Sequence, residues 1–391
     1  MNSQKALTQP FLHVARCLML GALLHLSTAS AADVALAGFA YAGDLASSAA
    51  RFPVTKQLEA SLGPRGINVM LDKAMQGKTP DNFTLVPRIE SLAGRDQAVA
   101  VALVMTSEMV STEEIGGVVK LTVQLRGQAM FFDFKSKTVL RAYPLSFAYL
   151  DVLAQAPTQE QIAERMLALY QGTNGKPGIL ARFATAVNRA SLPANVPRFV
   201  QVGKVTIGDE ARAAFPPELA NGAGEAWIAD MFGEALSAKL GIPILPYAKG
   251  YAIGNVMSMT IGDSTVFNLK LPEPDYVLSA DVVKLKKIVY SEQAAGKSFV
   301  YGTQMDLRLE EPMSGKAYLH SLVKNGEVKV VSAHQTTLDD FPAYEDAMRG
   351  LFTKLARAIG GEEAAWLKSA AAAPDINQQM TTTRDLLLLC K

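Results

Sequence analysis

Histidine is the side chain best suited to moving protons near neutral pH, and this chain of 391 residues has 4. His13 and His25 belong to a leader segment; His320 and His334 remain, both in the second half. With a carboxylate such as Asp306 they could contribute to a zinc site, but no cysteine accompanies them and no HExxH pattern occurs. Two polar strand residues facing water explain them without a metal, so no metal site is expected. A serine nucleophile would need a base, and the G-x-S-x-G elbow is missing. The carboxylate pairs Glu113-Glu114, Glu310-Glu311 and Asp339-Asp340 are adjacent in the chain, as turn and helix-entry charges are. Gly222-Ala223-Gly224 precedes a helical pattern, yet no clear strand leads into it and no Lys-Ser or Lys-Thr follows. It reads as a plain helix entry rather than a phosphate cradle. The expectation is therefore a protein that is not an enzyme, with no catalytic residue and no cofactor.

Binding chemistry is a second matter. Trp227, Phe232, Tyr247 and Tyr251 could line the mouth of a cleft between the two halves of the chain and hold a small apolar or lipid-like ligand. Their plainer place is the core. Lys284 and Lys286 share one face of an alternating stretch with Lys287 beside them, a pattern that more often shields a sheet edge than binds an acidic partner. Thirty-eight basic against 37 acidic residues leave a formal charge of +1, without the basic excess of a nucleic-acid binder.

The elements that must position these residues begin after a leader. Lys5 and Arg16 precede the apolar run from Cys17 to Leu26, and Ala29 and Ala31 fit a signal-peptidase site. Cleavage after Ala31 and a periplasmic location are expected. The run is about ten residues, too short to cross roughly 30 Å of hydrocarbon, so the mature chain is expected to be peripheral to a membrane at most. Cys17 lies at the start of the apolar run, whereas a lipid-bearing cysteine would follow it, so no lipid is expected there. Cys390, left alone, cannot form an intrachain disulfide, and its place near the end suggests a frayed terminus.

The halves echo each other at a spacing of about 165 to 175 residues. Gly43-Asp44 ends one short strand and Gly208-Asp209 another, and the pair reads as inherited turn geometry or as two equivalent strand-end sites. A helix follows each, with Val54, Leu58 and Leu62 on the first stripe and Trp227, Ile228, Met231, Phe232, Ala235 and Leu236 on the second. The runs 98–110 and 276–289 predict strands packed on both faces. Val119, Leu121, Val123 and Leu125, like Met305, Leu307 and Leu309, alternate with polar residues and predict strands with one wet face. Turns at 135–137 and 311–316 reverse each chain, and each half closes on a helix, the first opened by a Thr158–Gln161 capping box. Residues 32–190 and 199–361 are thus expected to be two repeated α/β (or α+β) domains, each a mixed sheet covered by helices. Residues 1–31 form the signal, 191–198 a linker and 362–391 a flexible tail.

Asp275 to Val282 and Met305 to Lys316, with its Ser-Gly turn, resemble the central strand and strand-turn-strand of the TolB amino-terminal domain, in tandem here. That domain's relatives include the curli-secretion lipoprotein and the lipoprotein activators of penicillin-binding proteins. The resemblance implies an envelope assembly role and carries over no catalytic residue. Three functions follow as expectations: an exported adaptor or assembly factor for an envelope complex, with protein partners and an oligomeric form; a carrier or sensor of an apolar ligand; and a hydrolase acting through carboxylates alone.

Overall fold

The computed structural model describes residues 32–391 except 44–47, 49, 64, 88–93, 95–97, 116, 174, 193–196, 248–251, 254–255, 262–265, 295 and 334–338. The leader, Asp44, Tyr251 and His334 lie outside the described residues. The first half runs β1 (Asp33–Ala42), α1 (Pro53–Leu62), α2 (Gly66–Met75), β2 (Thr84–Val86), β3 (Val99–Ile115), β4 (Val118–Asp133), β5 (Thr138–Leu153), α3 (Gln159–Gln171), the small hairpin β6 (Gly172–Thr173) and β7 (Lys176–Pro177), and α4 (Ile179–Arg189). The second half runs β8 (Val200–Ile207), α5 (Asp209–Arg212), α6 (Ala223–Leu240), β9 (Ala252–Ile253), β10 (Val256–Ile261), β11 (Val266–Lys270), β12 (Tyr276–Gln293), β13 (Gly296–Glu311), β14 (Lys316–Ser332), α7 (Phe341–Ile359), α8 (Ala364–Ala370) and α9 (Ile376–Leu388). The mixed α/β class holds, with 34% helix and 43% strand.

Alternation builds the first sheet. Along β3, Val99, Val101 and Leu103 face a core shared with α1 to α4, where Phe39, Ile67, Met166 and Phe183 are buried. Ala98, Ala100 and Ala102 face the opposite side, in a different cluster. The capping box opens α3 as expected: the Gln161 N–H donates to Thr158 Oγ1 at 3.2 Å and the Thr158 N–H to Gln161 Oε1 at 3.0 Å. Helix α1 is capped from a distance. Phe52 at its N-cap has no side-chain acceptor and Pro53 has no N–H, so the Val54 and Thr55 amides donate to Glu108 on β3 at 2.8 and 2.9 Å. Burial pushes the Glu108 carboxyl above its ordinary 4.5, against the downward pull of those bonds. The folded state therefore keeps this proton to higher pH than the unfolded chain, and the stability it contributes is complete below pH 4.5 and declines as pH rises toward the folded pKa. Glu108→Gln should flatten that part of the stability–pH curve. Glu108→Ala, which leaves both amides without their acceptor, should cost about 1–3 kcal/mol in urea unfolding at pH 7; no loss would mean the cap is idle.

The two sheets share one ladder pattern. In the first, β1 runs parallel to β3, and β3–β4 and β4–β5 are antiparallel; in the second, β8 runs parallel to β12, and β12–β13 and β13–β14 are antiparallel. Three β-bulges recur at equivalent places. Ala37 on β1 matches Gly203 on β8, Thr106 on β3 matches Val283 on β12, and Leu140 on β5 matches Tyr318 on β14. Bulges re-aim a strand locally and do not shift freely, so this register equates the halves residue by residue. It also corrects the Gly-Asp pairing. Tyr41 lies opposite Met105 as Ile207 lies opposite Val282, which equates Ala42, not Gly43, with Gly208. Gly43 takes φ 97 while Gly208 takes φ −62, so the two glycines do different work.

Each half closes its own interior, but a third layer belongs to both. Strands β10 and β11, from the second half, pair with β1 (Ala40 opposite Ile261) and β5 (Thr138 opposite Lys270). Strands β1-β3-β4-β5-β11-β10 thus form a closed ring around Ala35, Ala40, Ala100, Met130, Phe132 and Met257. Small residues on β1 and β3 permit the tight curvature. The expected division at 191–198 is corrected accordingly: Asp33–Lys391 form one compact unit. The segment 242–245 stitches it further, Ile244 N donating to Ala142 O at 2.8 Å and Leu245 N to Val200 O at 2.9 Å.

Helix α6 packs against β5, β8 and α7, and its apolar residues are spread round the axis because sheets lie on both sides. The wet face expected on β4 is therefore dry. Gln124 and Arg126 are 9% and 3% exposed, Gln124 donating to Glu345 on α7 at 3.2 Å and Arg126 lying over the Trp227 ring at 5.4 Å.

The expected flexible tail over 362–391 is also corrected. Leu367, Ile376, Met380, Leu387 and Cys390 are buried in the second core, and the Arg141 guanidinium on β5 donates to the main-chain oxygens of Cys390 at 2.7 Å and Lys391 at 3.1 Å. Cys390 is 1% exposed, and burial pushes its thiol up to about 12. In a chain starting at Ala32 this thiol should ignore a disulfide reagent at pH 8 until denaturant is added, and non-reducing gels should show no linked dimer. Rapid labelling of the folded chain would contradict the docked terminus.

Candidate functional site

The ladder equivalence identifies the most distinctive surface of the molecule. On the first sheet, the face carrying Gln124, Arg126 and Ser146 is covered by α6 and α7. Three carboxylates on those helices meet it: Thr106 Oγ1 donates to Asp230 at 3.2 Å, Ser146 Oγ to Glu234 at 2.6 Å, and Gln124 to Glu345 at 3.2 Å. The equivalent face of the second sheet carries Gly302, Gln304 and Lys324; among the described residues α6, α7 and α9 lie on the other side with Met305, Leu307, Leu319 and Val323, and only α8 comes near, at the β14 edge.

The open face has two zones. Near β8 its polar groups satisfy one another: Thr206 donates to Asp281 at 2.7 Å, His320 Nε2 lies 3.2 Å from Asp306 Oδ1, and Arg308 reaches Glu310 at 3.3 Å. Pairs this exposed contribute little to stability, and they make that zone a solvated surface. Toward the far ends of the strands the balance changes. Gly302 on β13 lies opposite both Lys286 on β12 and Gly326 on β14, and this side-chain-free patch borders a depression of about 490 Å³ that reaches the β14 edge, where Trp366, Ser369 and Ala370 of α8 also line it. Lys284, Lys286, Lys324 and Lys354 line it with Trp366. Glu210 lies 2.7 Å from Lys284, and Lys354 is held by Asn325 at 2.9 Å and by Glu327 at 3.5 Å. Lys286 and Lys324 are exposed, without a carboxylate partner among the described residues. Ile288, Val328 and Val330, 49%, 56% and 78% exposed, extend the zone with apolar surface.

The residues expected to bind a ligand sit elsewhere. Trp227, Phe232 and Tyr247 are core residues, 5%, 0% and 4% exposed, because α6 occupies the space between the sheets where a cleft was expected. Asp209 begins the short helix α5 and Gly208 N donates to Val282 O at 3.0 Å, which makes that pair a strand-to-helix turn. Gly224 presses against Leu219 O, which a Cβ there would meet at 2.9 Å, so the Gly222–Gly224 entry is filled by the chain itself. Lys284 and Lys286 do share one face, as alternation indicated, and they lie past Ile207, where β12 has lost its β8 neighbour. Sequence reasoning missed Lys324 and the glycine pair; the signal for them is a residue-by-residue comparison of halves, which needs the bulge positions. Among the described residues no group of three or more His, Cys, Asp or Glu is placed to hold a metal ion, and no helix is long and apolar enough to cross a membrane.

No family model matches the chain, and no curated protein does. Eight chains of solved structure match. One is a Xanthomonas campestris protein assigned to family-model DUF330, 12% identical, covering 49% of this chain and 88% of its own, with TM-score 0.21. Another is a hypothetical protein from Chlamydia trachomatis, 11% identical, covering 44% of this chain and 99% of its own, with TM-score 0.23. Likenesses at these scores carry no argument about this chain.

Proposed function

We propose that the chain is a non-enzymatic adaptor or assembly factor of the bacterial cell envelope, exported to the periplasm by its leader, and that it holds a protein partner on the open face of the second sheet. One observation supports this reading: among the described residues the same face of the same ladder is covered by helices in the first half and open across its centre in the second, with Lys286 and Lys324 lacking a carboxylate partner and exposed aliphatic side chains at its far end. The carrier reading loses its support, since Trp227, Phe232 and Tyr247 pack in the core.

Affinity purification from envelope extract tests it, with the wild-type chain beside a Lys286→Glu/Val328→Asp variant of unchanged melting temperature. A partner kept by the first and lost by the second is the expected result. The same proteins from both, or none from either, would contradict the proposal. The export component predicts that protein recovered from the periplasmic fraction begins at Ala32 on amino-terminal sequencing.

A further inference from the structure

We infer that what docks on the open face is an acidic amphipathic helix of the partner, seated on the second sheet as α6 and α7 are seated on the first. This rests on the adaptor reading above and adds to it the chemistry of the occupant. The molecule contains its own template. On the covered face, three positions donate to carboxylates on the helices: Thr106 to Asp230, Ser146 to Glu234, and Gln124 to Glu345. By the ladder these positions correspond to Val283, Lys324 and Gly302 on the open face. The hydroxyl of Ser146 is thus replaced by the ammonium of Lys324, and Lys286 stands beside Gly302, where Gln124 would be. At the Ser146 position the open face thus offers a cation for a neutral donor and at the Gln124 position a cation on the next strand, while Gln304 stands where the covered face has Arg126; Lys286 and Lys324 are the groups that match carboxylates.

Shape agrees with charge. The paired Gly302 and Gly326 leave the strand backbone without side chains beside the depression, which admits a helix closely, as small residues do wherever backbones approach. Ile288 and Val328 flank it with apolar surface for the uncharged side of that helix. A nucleic acid would need cations in register with its phosphates over a longer track. Here the cations are confined to one short zone, because next to it Arg308 and His320 are already taken up by Glu310 and Asp306.

The test uses the full chain from Ala32 and two labelled peptides of about 20 residues, long enough to be helical when bound. Both carry an apolar stripe; one has Glu at i, i+4 along its flank and the other has Lys there. Fluorescence anisotropy should show the Glu peptide binding, the Lys peptide failing to bind, and the Glu affinity falling about tenfold or more between low and high salt. Lys284→Glu/Lys286→Glu/Lys324→Glu should lower it by at least about tenfold. Should that triple variant fail to fold, Lys286→Gln with the salt series decides instead. Equal binding of both peptides, no binding of either, or unchanged affinity in the variant overturns the inference. So does sedimentation showing that the wild-type chain dimerises through this face, because the occupant is then a second copy. The adaptor reading is judged separately: a partner lost by the face variant but indifferent to the Glu peptide leaves that reading standing and removes only the acidic helix.

Discussion

Phe232→Ala should lower the unfolding free energy by about 3–5 kcal/mol. Phe232 is fully buried on α6 and stacks on Phe352 of α7 with ring centroids 4.6 Å apart and planes at 14°. Those two helices form the layer that serves both sheets, so the cavity left by the ring cannot be filled by a surface loop moving in. Urea unfolding at constant pH measures the loss as a shift of midpoint with little change of slope. Val69→Ala on the outer side of α2, where the side chain is 63% exposed, provides the control and should stay within about 0.5 kcal/mol. A loss below about 1 kcal/mol for Phe232→Ala would mean that the central layer is not the packed interior described here.

Removing residues 364–391 should be more damaging still. Buried side chains including Leu367, Ile376, Met380, Leu387 and Cys390 would be lost, and Arg141 would lose two acceptors. At about 1.5–3 kcal/mol for each large apolar side chain, the sum approaches the whole stability of an ordinary domain, about 5–15 kcal/mol. The truncated chain is expected to be insoluble or to lack a cooperative thermal transition. A soluble product with the melting temperature of the full chain would restore the flexible tail.

Local patterns were legible in the sequence because they rest on periodicity. The alternation of Val99 to Leu103, the capping box at Thr158 and Gln161, and the stripe of α7 each depend on residues within a few positions of one another. What escaped depends on distant partners. Gln124 and Arg126 look like water-facing residues until Glu345 and Trp227 arrive to meet them from the other half. Polar residues on a strand mark a wet face only where nothing comes to cover it, and coverage is a tertiary fact. The tail misled for another reason. Its alanines, proline and polar residues concealed a helical stripe of Ile376, Met380, Thr383 and Leu387, all buried on one side of α9. That signal was present and outweighed by composition. The aromatic cluster failed because Trp227 and Phe232 lie on a helix whose apolar residues are spread round its axis, which marks burial between two layers rather than the edge of a cleft. The site itself was half legible: Lys284 and Lys286 were visible as a facing pair, whereas Lys324 and the two glycines joined them only through strand pairing.

The central claim, that the bare face of the second sheet is where a partner sits, is tested most directly by placing a photo-crosslinking amino acid at Val300 on that face and at Glu160 on the exposed first turn of α3, then irradiating intact cells. A discrete adduct from Val300 and none from Glu160 is the predicted result. No adduct from Val300, or the same adducts from both positions, would contradict it.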